Sequence, residues 1–342
     1  MVKLQELLNF YKWNTTHVDM EKISELEHDG LVQMKKHPEY PLFLLNYTSK
    51  TQFKHRWCNE LIHARGLVVT EDGEIIARPL PKFFNHYEIT DWYQQQDKNY
   101  ELYDKMDGSL GIMFHYEDKR IFCTRGSFIS EQAVKSEELF KSKYNNVKIN
   151  KECTYCFEVI YPENKIVVDY DDLEDLFLIS ITHTKTGKEF IIENTGFKTV
   201  NKIETNGVPF DELIKYDIPN KEGYVMKFNH LRVKIKFDNY IASHRGKTFS
   251  PDTIKRSMKK MENINLANIP DECHSEVREI MHEMEEIFNI KKHRLQSEYA
   301  DIVKVNASTR DVIEAIKQSD YSSILFAIYR GKPYDKLIWK LV

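Results

Sequence analysis

The spacing of hydrophobic residues changes from a helical to a strand-like period early in the chain. Leu4, Leu7 and Leu8 recur at helical spacing, which predicts short amphipathic helices near the N-terminus. From Leu42 onward the apolar residues fall in short runs. Two such runs in Leu67–Ala77 flank an Asp-Gly dipeptide that is typical of a hairpin turn. This segment therefore predicts two antiparallel strands.

Further short apolar runs separated by turn residues continue up to Phe237. Ser130 is a suitable N-cap for a helix that ends near Tyr144, with Glu131 in its first turn. Because strands outnumber helices and do not alternate regularly with them, we predict an α+β body built on antiparallel sheet. The predicted strands are Tyr100–Tyr103, Leu110–Tyr116, Arg120–Thr124, Tyr155–Tyr161, Ile166–Asp169, Leu176–Thr182, Glu189–Ile192, Tyr224–Phe228 and Leu231–Phe237.

The pattern becomes helical again near Gly246. Ser250-Pro251 combines an N-cap residue with a proline suited to the first helical position. Apolar residues between Val277 and Phe288 then recur at helical spacing over one long segment. We therefore predict two domains, an α+β domain over residues 1–245 and a small all-helical C-terminal domain over residues 246–342.

Composition is that of an ordinary globular protein, with 41% hydrophobic and 30% charged residues in 342. The N-terminal Met1–Phe10 carries charges where a secretory signal needs an apolar stretch, and no apolar run is long enough to span a bilayer. We expect a cytoplasmic protein with no membrane partner. The net charge of −4 means that a nucleic-acid partner would be held by a local basic groove.

Five scattered cysteines, an odd number, argue against a disulfide framework. Cys153 and Cys156 have the spacing of a metal-binding pair. Neither a second cysteine pair nor a nearby histidine pair completes a tetrahedral site. Buried thiols are the expected alternative.

The main candidate for chemistry is Lys105, in the sequence Lys105-Met106-Asp107-Gly108-Ser109 between two predicted strands. A lysine that attacks phosphorus must be neutral, so its pKa has to be lowered by burial or by nearby cations. A glycine at Gly108 allows the backbone to approach a nucleotide closely. On its own the motif is short and equally compatible with a surface turn.

Several further short motifs occur with it in a fixed order. Together they resemble the phage-type RNA ligase 1 family, within the covalent nucleotidyltransferase superfamily of ATP-dependent ligases and capping enzymes. The resemblance extends from about Asn46 to His244. Its blocks are Ala64-Arg65-Gly66-Leu67, Arg78-Pro79-Leu80-Pro81-Lys82-Phe83-Phe84-Asn85, the Lys105 motif, Arg125-Gly126-Ser127, Phe157-Glu158-Val159, Pro162-x-Asn164-Lys165-Ile166-Val167, Glu222-Gly223-Tyr224-Val225 and Lys234-Ile235-Lys236-x-x-x-Tyr240.

The resemblance implies that Lys105 attacks the α-phosphate of ATP and becomes a lysine–AMP adduct. It places Arg65 and Lys82 near the ribose and phosphates, where their charges would also lower the pKa of Lys105. Lys234 and Lys236 alternate on one predicted strand, so both project to the same face. They would stabilise charge at the α-phosphate during catalysis, whereas an exposed charged face is the alternative.

Two carboxylates complete the implied nucleotide site. Glu158 would hold ribose hydroxyls or a hydrated metal, and Glu222 would help to place Mg²⁺, for which Mn²⁺ would substitute. Phe157, which precedes Glu158, faces the opposite side of the strand and is expected in the core. A solvated acidic turn is the alternative for Glu222.

Arg125 and Tyr240 are candidates for contacts with RNA or phosphate, with packing or surface decoration as the alternative. The family usually has lysine where Arg125 stands, so the charge is retained without the compact ammonium. The family also tends to have an aromatic residue at the position of Leu45, which leaves that nucleotide contact in doubt. In the C-terminal domain, one cluster is a candidate phosphate contact or a solvated helix face. It consists of Lys255, Arg256, Lys259 and Lys260.

The implied reaction is ATP-dependent RNA ligation in three steps. AMP passes from ATP to Lys105, then to a 5′-phosphate, and is displaced by a 3′-hydroxyl. The expected partner is single-stranded RNA or broken tRNA with those ends. A capping guanylyltransferase or a DNA ligase shares the lysine motif but usually has a β-barrel after the lysine-pair strand, whereas a helical segment is predicted here. A non-catalytic RNA-binding protein on the same scaffold is the alternative outside enzymes.

Overall fold

The computed structural model describes residues 1–90, 100–205, 207–228, 231–248, 250–262, 264, 274–306 and 308–342. Cys273 therefore lies outside the described residues. The chain divides into two compact units, Met1–His244 and Arg245–Val342. None of the described helices is long and apolar enough to cross a membrane.

The first unit combines short helices with many short strands. Its helices are α1 (Leu4–Phe10), α2 (Met20–His28), α3 (Ser49–Phe53), α4 (Asn59–His63), α5 (Glu131–Leu139), α6 (Phe210–Leu213) and the start of α7 (Asp238–Thr248). Its strands are β1 (Val2–Lys3), β2 (Val32–Lys36), β3 (Leu42–Tyr47), β4 (Arg65–Thr70), β5 (Ile75–Ala77), β6 (Phe84–Asn85), β7 (Ile89–Thr90), β8 (Glu101–Lys105), β9 (Ser109–Tyr116), β10 (Lys119–Thr124), β11 (Cys153–Ile160), β12 (Asp175–His183), β13 (Glu189–Phe190), β14 (Lys198–Thr199), β15 (Lys202–Ile203), β16 (Gly223–Phe228) and β17 (Leu231–Lys236).

These strands form mostly antiparallel sheets, as the mixed α/β pattern predicts. A six-stranded sheet has the order β10-β9-β11-β12-β13, with β14 also paired to β12. A five-stranded sheet has the order β15-β8-β16-β17-β6, and a four-stranded sheet the order β2-β3-β4-β5. The strand β1 pairs with β7 in parallel. Consecutive apolar runs thus pair as hairpins in β9–β10 and β16–β17.

One predicted strand is wrong. Ile166–Asp169 pairs with no other strand among the described residues. Instead, the backbone N–H groups of Val167 and Val168 donate to the Asp107 carboxylate, at 2.8 and 2.9 Å. The carboxylate of a distant residue therefore accepts the backbone N–H groups that would otherwise donate to a neighbouring strand.

Each large sheet buries its own apolar face. Phe84, Leu102 and Val233 lie in the core beneath the five-stranded sheet, together with Leu4 and Leu7 of α1. Beneath the six-stranded sheet, α5 contributes Leu139 and continues into one π-helical turn, Phe140–Tyr144. The alternation of strand residues leaves the opposite faces of both sheets free to line a cavity.

The described residues of the second unit form helices joined by short turns and contain no strand. Its helices are α8 (Pro251–Lys260), α9 (His274–Val305), α10 (Thr309–Gln318), α11 (Ser322–Tyr329) and α12 (Asp335–Trp339). Pro251 occupies the first turn of α8, and the Ser308 hydroxyl caps α10 by accepting from the N–H of Asp311. Leu295 of α9 and Ile324 of α11 are buried together with Ile338 of α12.

Candidate active site

A cavity of about 860 Å³ is lined by residues of the five-stranded and six-stranded sheets. Lys105 ends β8 at this cavity, and Glu158 enters it from β11. Lys234 and Val225, which are opposite each other on β17 and β16, line the same wall. The pattern of strands therefore brings motifs from distant parts of the chain to one concave site.

Lys105 is held by a short ion pair. Its Nζ lies 2.7 Å from Oε2 of Glu222, and the Lys105 side chain is only 18% exposed. Glu222 immediately precedes β16, whose first residue, Gly223, is opposite Lys105 in the ladder. A side chain at Gly223 could not be accommodated, because its Cβ would lie 2.0 Å from the carbonyl oxygen of Ile235. The turn that presents Glu222 thus depends on a glycine.

A second lysine contacts the same carboxylate. Nζ of Lys236 lies 3.5 Å from Oε1 of Glu222, and both side chains are at most 10% exposed. Two ammonium groups therefore share one buried carboxylate. Removing the carboxylate would leave two like charges close together in a poorly solvated place.

The cavity face of β17 carries a row of cations. Arg232, Lys234 and Lys236 alternate along the strand, so their side chains share one face. Arg232 and Lys234 line the cavity, and Nζ of Lys234 lies 5.2 Å from the centre of the Phe83 ring. Arg65 lies 5.4 Å from that ring and donates to the carbonyl of Leu80 at 3.4 Å. Arg65 and Lys234 thus both lie at the cavity.

Lys82 departs from the expected position. Its side chain is 1% exposed and is absent from the residues that line the cavity. Its ammonium lies 5.2 Å from the Phe84 ring centre and 5.7 Å from those of Tyr47 and Trp57. Because neighbouring residues of an extended chain face opposite sides, Phe83 takes the cavity side and Lys82 faces the aromatic residues.

Glu158 lies beside the Lys105 loop. The N–H of Gly108 donates to its Oε1 at 3.0 Å. Burial raises the pKa of Glu158 to about 7, with Lys105 opposing that shift and Glu222 adding to it. A Cβ at Gly108 would lie 2.6 Å from the carbonyl oxygen of Val159, so this approach requires glycine. Phe157 is fully buried in the core, as expected.

Glu158 and Glu222 fit a magnesium or manganese site of the kind that relies on few protein ligands. The described residues contain no group of three or more His, Cys, Asp or Glu side chains arranged to hold a metal ion. Mg²⁺ keeps several waters and commonly takes one or two carboxylates together with substrate phosphates. Glu222 lies close enough to Glu158 to raise its pKa. Two neighbouring carboxylates of this kind match the protein ligands of a partly hydrated cation.

The two weaker candidates occupy different places. Arg125 lines the cavity, and its guanidinium donates to the Tyr47 hydroxyl at 3.3 Å. Tyr240 is buried, and its hydroxyl donates to Oδ1 of Asp107 at 2.7 Å. Nζ of Lys236 lies 5.4 Å from the Tyr240 ring centre. This placement favours the packing alternative for Tyr240.

Sequence reasoning missed an ionic cluster that joins the two sheets across the cavity. Oε1 of Glu189 on β13 accepts from Lys227 of β16 at 2.9 Å and from Arg232 of β17. All three residues line the cavity. Arg232 could have been identified from its alternation with Lys234, whereas nothing in the sequence marks Glu189 as its partner.

The cysteine pair is buried. Cys153 and Cys156 are free thiols, and burial raises the pKa of both. Cys156 packs among apolar residues behind the cavity wall. This is the environment of inert structural thiols.

A protein of Autographa californica nuclear polyhedrosis virus, provisionally named a bifunctional polynucleotide kinase/RNA ligase, is 26% identical over 256 residues. That match covers 66% of this chain, and the chain spans only 36% of the length of the viral protein.

Solved structures resemble this chain more distantly. An archaeal ATP-dependent RNA ligase has a TM-score of 0.47 at 13% identity, covering 95% of this chain and 99% of its own. An Aquifex aeolicus protein, provisionally named an ATP-dependent DNA ligase, has a TM-score of 0.47 at 15% identity, covering 92% and 100%. A mutant of Naegleria gruberi RNA ligase with ATP and Mn has a TM-score of 0.36 at 13% identity, covering 44% and 53%. These similarities are too distant to carry an argument about function.

A family model gives the firmer result. The model described as RNA ligase, of the phage T4 RNA ligase 1 type, matches residues 63–240. That region is just over half of the chain. It contains Lys105, Glu158 and Glu222, together with both lysines of β17. The chain belongs to the RNA ligase family of the phage T4 RNA ligase 1 type.

Proposed function

We propose that this chain is an ATP-dependent RNA ligase that seals 5′-phosphate and 3′-hydroxyl ends through a lysine–AMP adduct on Lys105. The observation that supports this best is the arrangement of Lys105, Glu222 and Lys236. It joins Lys105, which lines the cavity between the two sheets, to a buried carboxylate and a second buried cation. The family of the chain supports the same activity.

The cavity provides groups for the first step. Lys105 attacks the α-phosphorus of ATP as a neutral amine, so an N–P bond forms, the P–O bond to pyrophosphate breaks and the amine releases a proton. Arg65 and Lys234 line the same cavity and stabilise charge on the phosphate oxygens. Because these cations are already in place on two strands, little reorganisation accompanies the step.

Glu158 and Glu222 would hold Mg²⁺, or Mn²⁺ in its place. The bound cation would neutralise charge on the phosphates. Glu158 also lies next to the backbone of Gly108, where its carboxyl group is available to ribose hydroxyls. With its pKa near 7, this carboxyl group both donates and accepts hydrogen bonds at neutral pH.

The substrate we propose is single-stranded RNA or broken tRNA, acting in the cytoplasm. AMP passes from Lys105 to the 5′-phosphate, and the 3′-hydroxyl then displaces AMP. The helical residues 246–342 are proposed to contribute to RNA recognition. The supporting feature is α8, on which Lys255, Arg256, Lys259 and Lys260 are all exposed while Ile254 and Met258 are buried on its other side.

Intact-mass spectrometry after incubation with ATP and Mg²⁺ tests the first step. One added AMP is expected in the wild type and none in Lys105→Ala. A folded wild type without an adduct would contradict the enzymatic proposal and favour a non-catalytic RNA-binding protein. Labelling by GTP in place of ATP would favour a capping guanylyltransferase.

A competition assay tests the substrate. It offers 5′-phosphorylated single-stranded RNA, single-stranded DNA and nicked duplex DNA together. Circularised RNA is the expected main product. A preference for nicked duplex would contradict the proposed RNA substrate and favour a DNA ligase.

A further inference from the structure

A segment between β11 and β12 is hydrogen-bonded both to the loop that follows Lys105 and to the turn that precedes Glu222. We call residues Pro162–Asp171 the bracket segment. It replaces the strand predicted at Ile166–Asp169. Its hydrogen bonds reach the Lys105 loop on one side and the turn before Glu222 on the other.

On the first side, Asp107 is fixed by both its backbone and its side chain. The Tyr170 hydroxyl accepts from the N–H of Asp107 at 2.8 Å. The Asp107 carboxylate in turn accepts from the N–H groups of Val167 and Val168. Asp107 is only 4% exposed. The residue two positions after Lys105 is therefore anchored to the bracket segment by three hydrogen bonds.

On the second side, Asn220 makes a two-point contact with the backbone of Asp169. Its Oδ1 accepts from the Asp169 N–H at 2.7 Å, and its Nδ2 donates to the Asp169 carbonyl at 2.8 Å. The φ angle of Asn220 is 55°, in the left-handed region that asparagine tolerates better than most residues. Glu222 follows two residues later. The turn that carries Glu222 is thus anchored to the same segment as the Lys105 loop.

The β8–β16 ladder does not supply this anchoring. Its last opposed pair is Lys105 and Gly223, so strand pairing ends where the active-site loops begin. Resting on the adenylylation proposed above, we propose that Tyr170 and Asn220 are positioning residues that hold Lys105 and Glu222 in the geometry for attack on ATP. Neither residue lines the cavity. Tyr170 acts through Asp107 in the Lys105 loop, and Asn220 acts through the turn that carries Glu222.

The kinetic test compares Tyr170→Phe and Asn220→Gly with matched controls. Tyr144→Phe removes a hydroxyl that donates to Asp175 at 2.6 Å, and Asn194→Gly replaces another left-handed asparagine. Because small misplacements of reacting groups are costly, the single-turnover rate of lysine adenylylation should fall about tenfold or more in the two test variants. The KM for ATP should stay within about twofold. The proposal is overturned if the rate matches that of the controls, or if KM rises while the rate is kept.

A second measurement does not require ligase activity. The reaction of Lys105 with an amine-reactive reagent, followed by peptide mass spectrometry without ATP, reports its contact with Glu222. Weakening that contact leaves Nζ of Lys105 less tightly held and more accessible to the reagent, so labelling should rise about threefold in both test variants and not in the controls. Unchanged labelling in folded variants would overturn the proposal. A wild type that forms no lysine–AMP would contradict the proposed function, and the labelling result would still decide this inference.

Discussion

Glu222 lies between two lysines, with Oε2 at 2.7 Å from Nζ of Lys105 and Oε1 at 3.5 Å from Nζ of Lys236. Its side chain is 4% exposed, so the three charges are largely removed from water. The Glu222 carboxylate offsets the cost of burying both ammonium groups, so its loss would leave two buried lysines without their shared anion. The same arrangement gives Lys105, the proposed nucleophile, a defined position at the cavity.

Glu222→Ala should therefore reduce both stability and adenylylation. Loss of one partner of a buried charge group typically costs about 3 kcal/mol, and we expect a decrease of that size in the free energy of unfolding measured in urea. Glu174→Ala is the control, because Glu174 is 40% exposed in its ion pair with Lys135. The control should cost less than about 1 kcal/mol. Equal losses in the free energy of unfolding for the two variants would contradict a stabilising role for the buried Glu222 carboxylate.

Glu158 gives a pH dependence with a defined sign. Its pKa is about 7 in the folded protein and 4.5 in the reference state, so between these pH values the folded protein holds a proton that the unfolded chain releases. The free energy of unfolding contributed by this group falls as pH rises through that window. Relative to wild type, Glu158→Gln should gain roughly 3 kcal/mol between pH 4.5 and 7.5, measured by urea unfolding. A difference independent of pH would contradict the raised pKa.

The ion pair of Glu189 with Arg232 should give a measurable coupling free energy between residues of the two sheets. Both side chains are at most 15% exposed, and they belong to β13 and β17 of different sheets. A double-mutant cycle of Glu189→Gln and Arg232→Met should give a coupling free energy of about 1–3 kcal/mol. Additive effects would show that the cluster does not join the sheets energetically.

The cations of α8 test the proposed RNA-binding role of the helical unit. If Arg256 and Lys259 contact phosphates, each change to alanine should reduce the slope of log K against log salt for single-stranded RNA by about 0.7. Lys317→Ala is a control from the same unit, because Lys317 pairs with Glu314 on α10. Slopes that match the control would assign these residues to a solvated helix face.

Much of the cavity could be predicted from the sequence because its residues belong to local patterns. The Lys105 motif lies at the junction of two apolar runs, and the alternation of Lys234 and Lys236 indicates a shared face. Strand pairing then brings Lys105 opposite Gly223. Local periodicity was sufficient for the Lys105 motif and for the shared face of Lys234 and Lys236, whereas the pairing of Lys105 with Gly223 joins distant parts of the chain.

The remaining features depend on contacts between residues far apart in the chain. Ile166–Asp169 has the apolar pattern of a strand, yet Asp107 accepts its N–H groups from about 60 residues away. Lys82 carries the charge expected near a phosphate, but the alternation that places Phe83 at the cavity turns Lys82 toward aromatic residues. No sequence pattern identifies Asn220. Only its contact with Asp169 shows that it anchors the turn before Glu222.

The central claim is that Lys105 is the residue that carries AMP, and peptide mapping by tandem mass spectrometry tests it most directly. After incubation with ATP and Mg²⁺, the AMP should be found on the peptide that contains Lys105, and Lys105→Arg should carry none. AMP on another lysine, such as Lys234 or Lys236, or an adduct that persists in Lys105→Arg, would contradict the account.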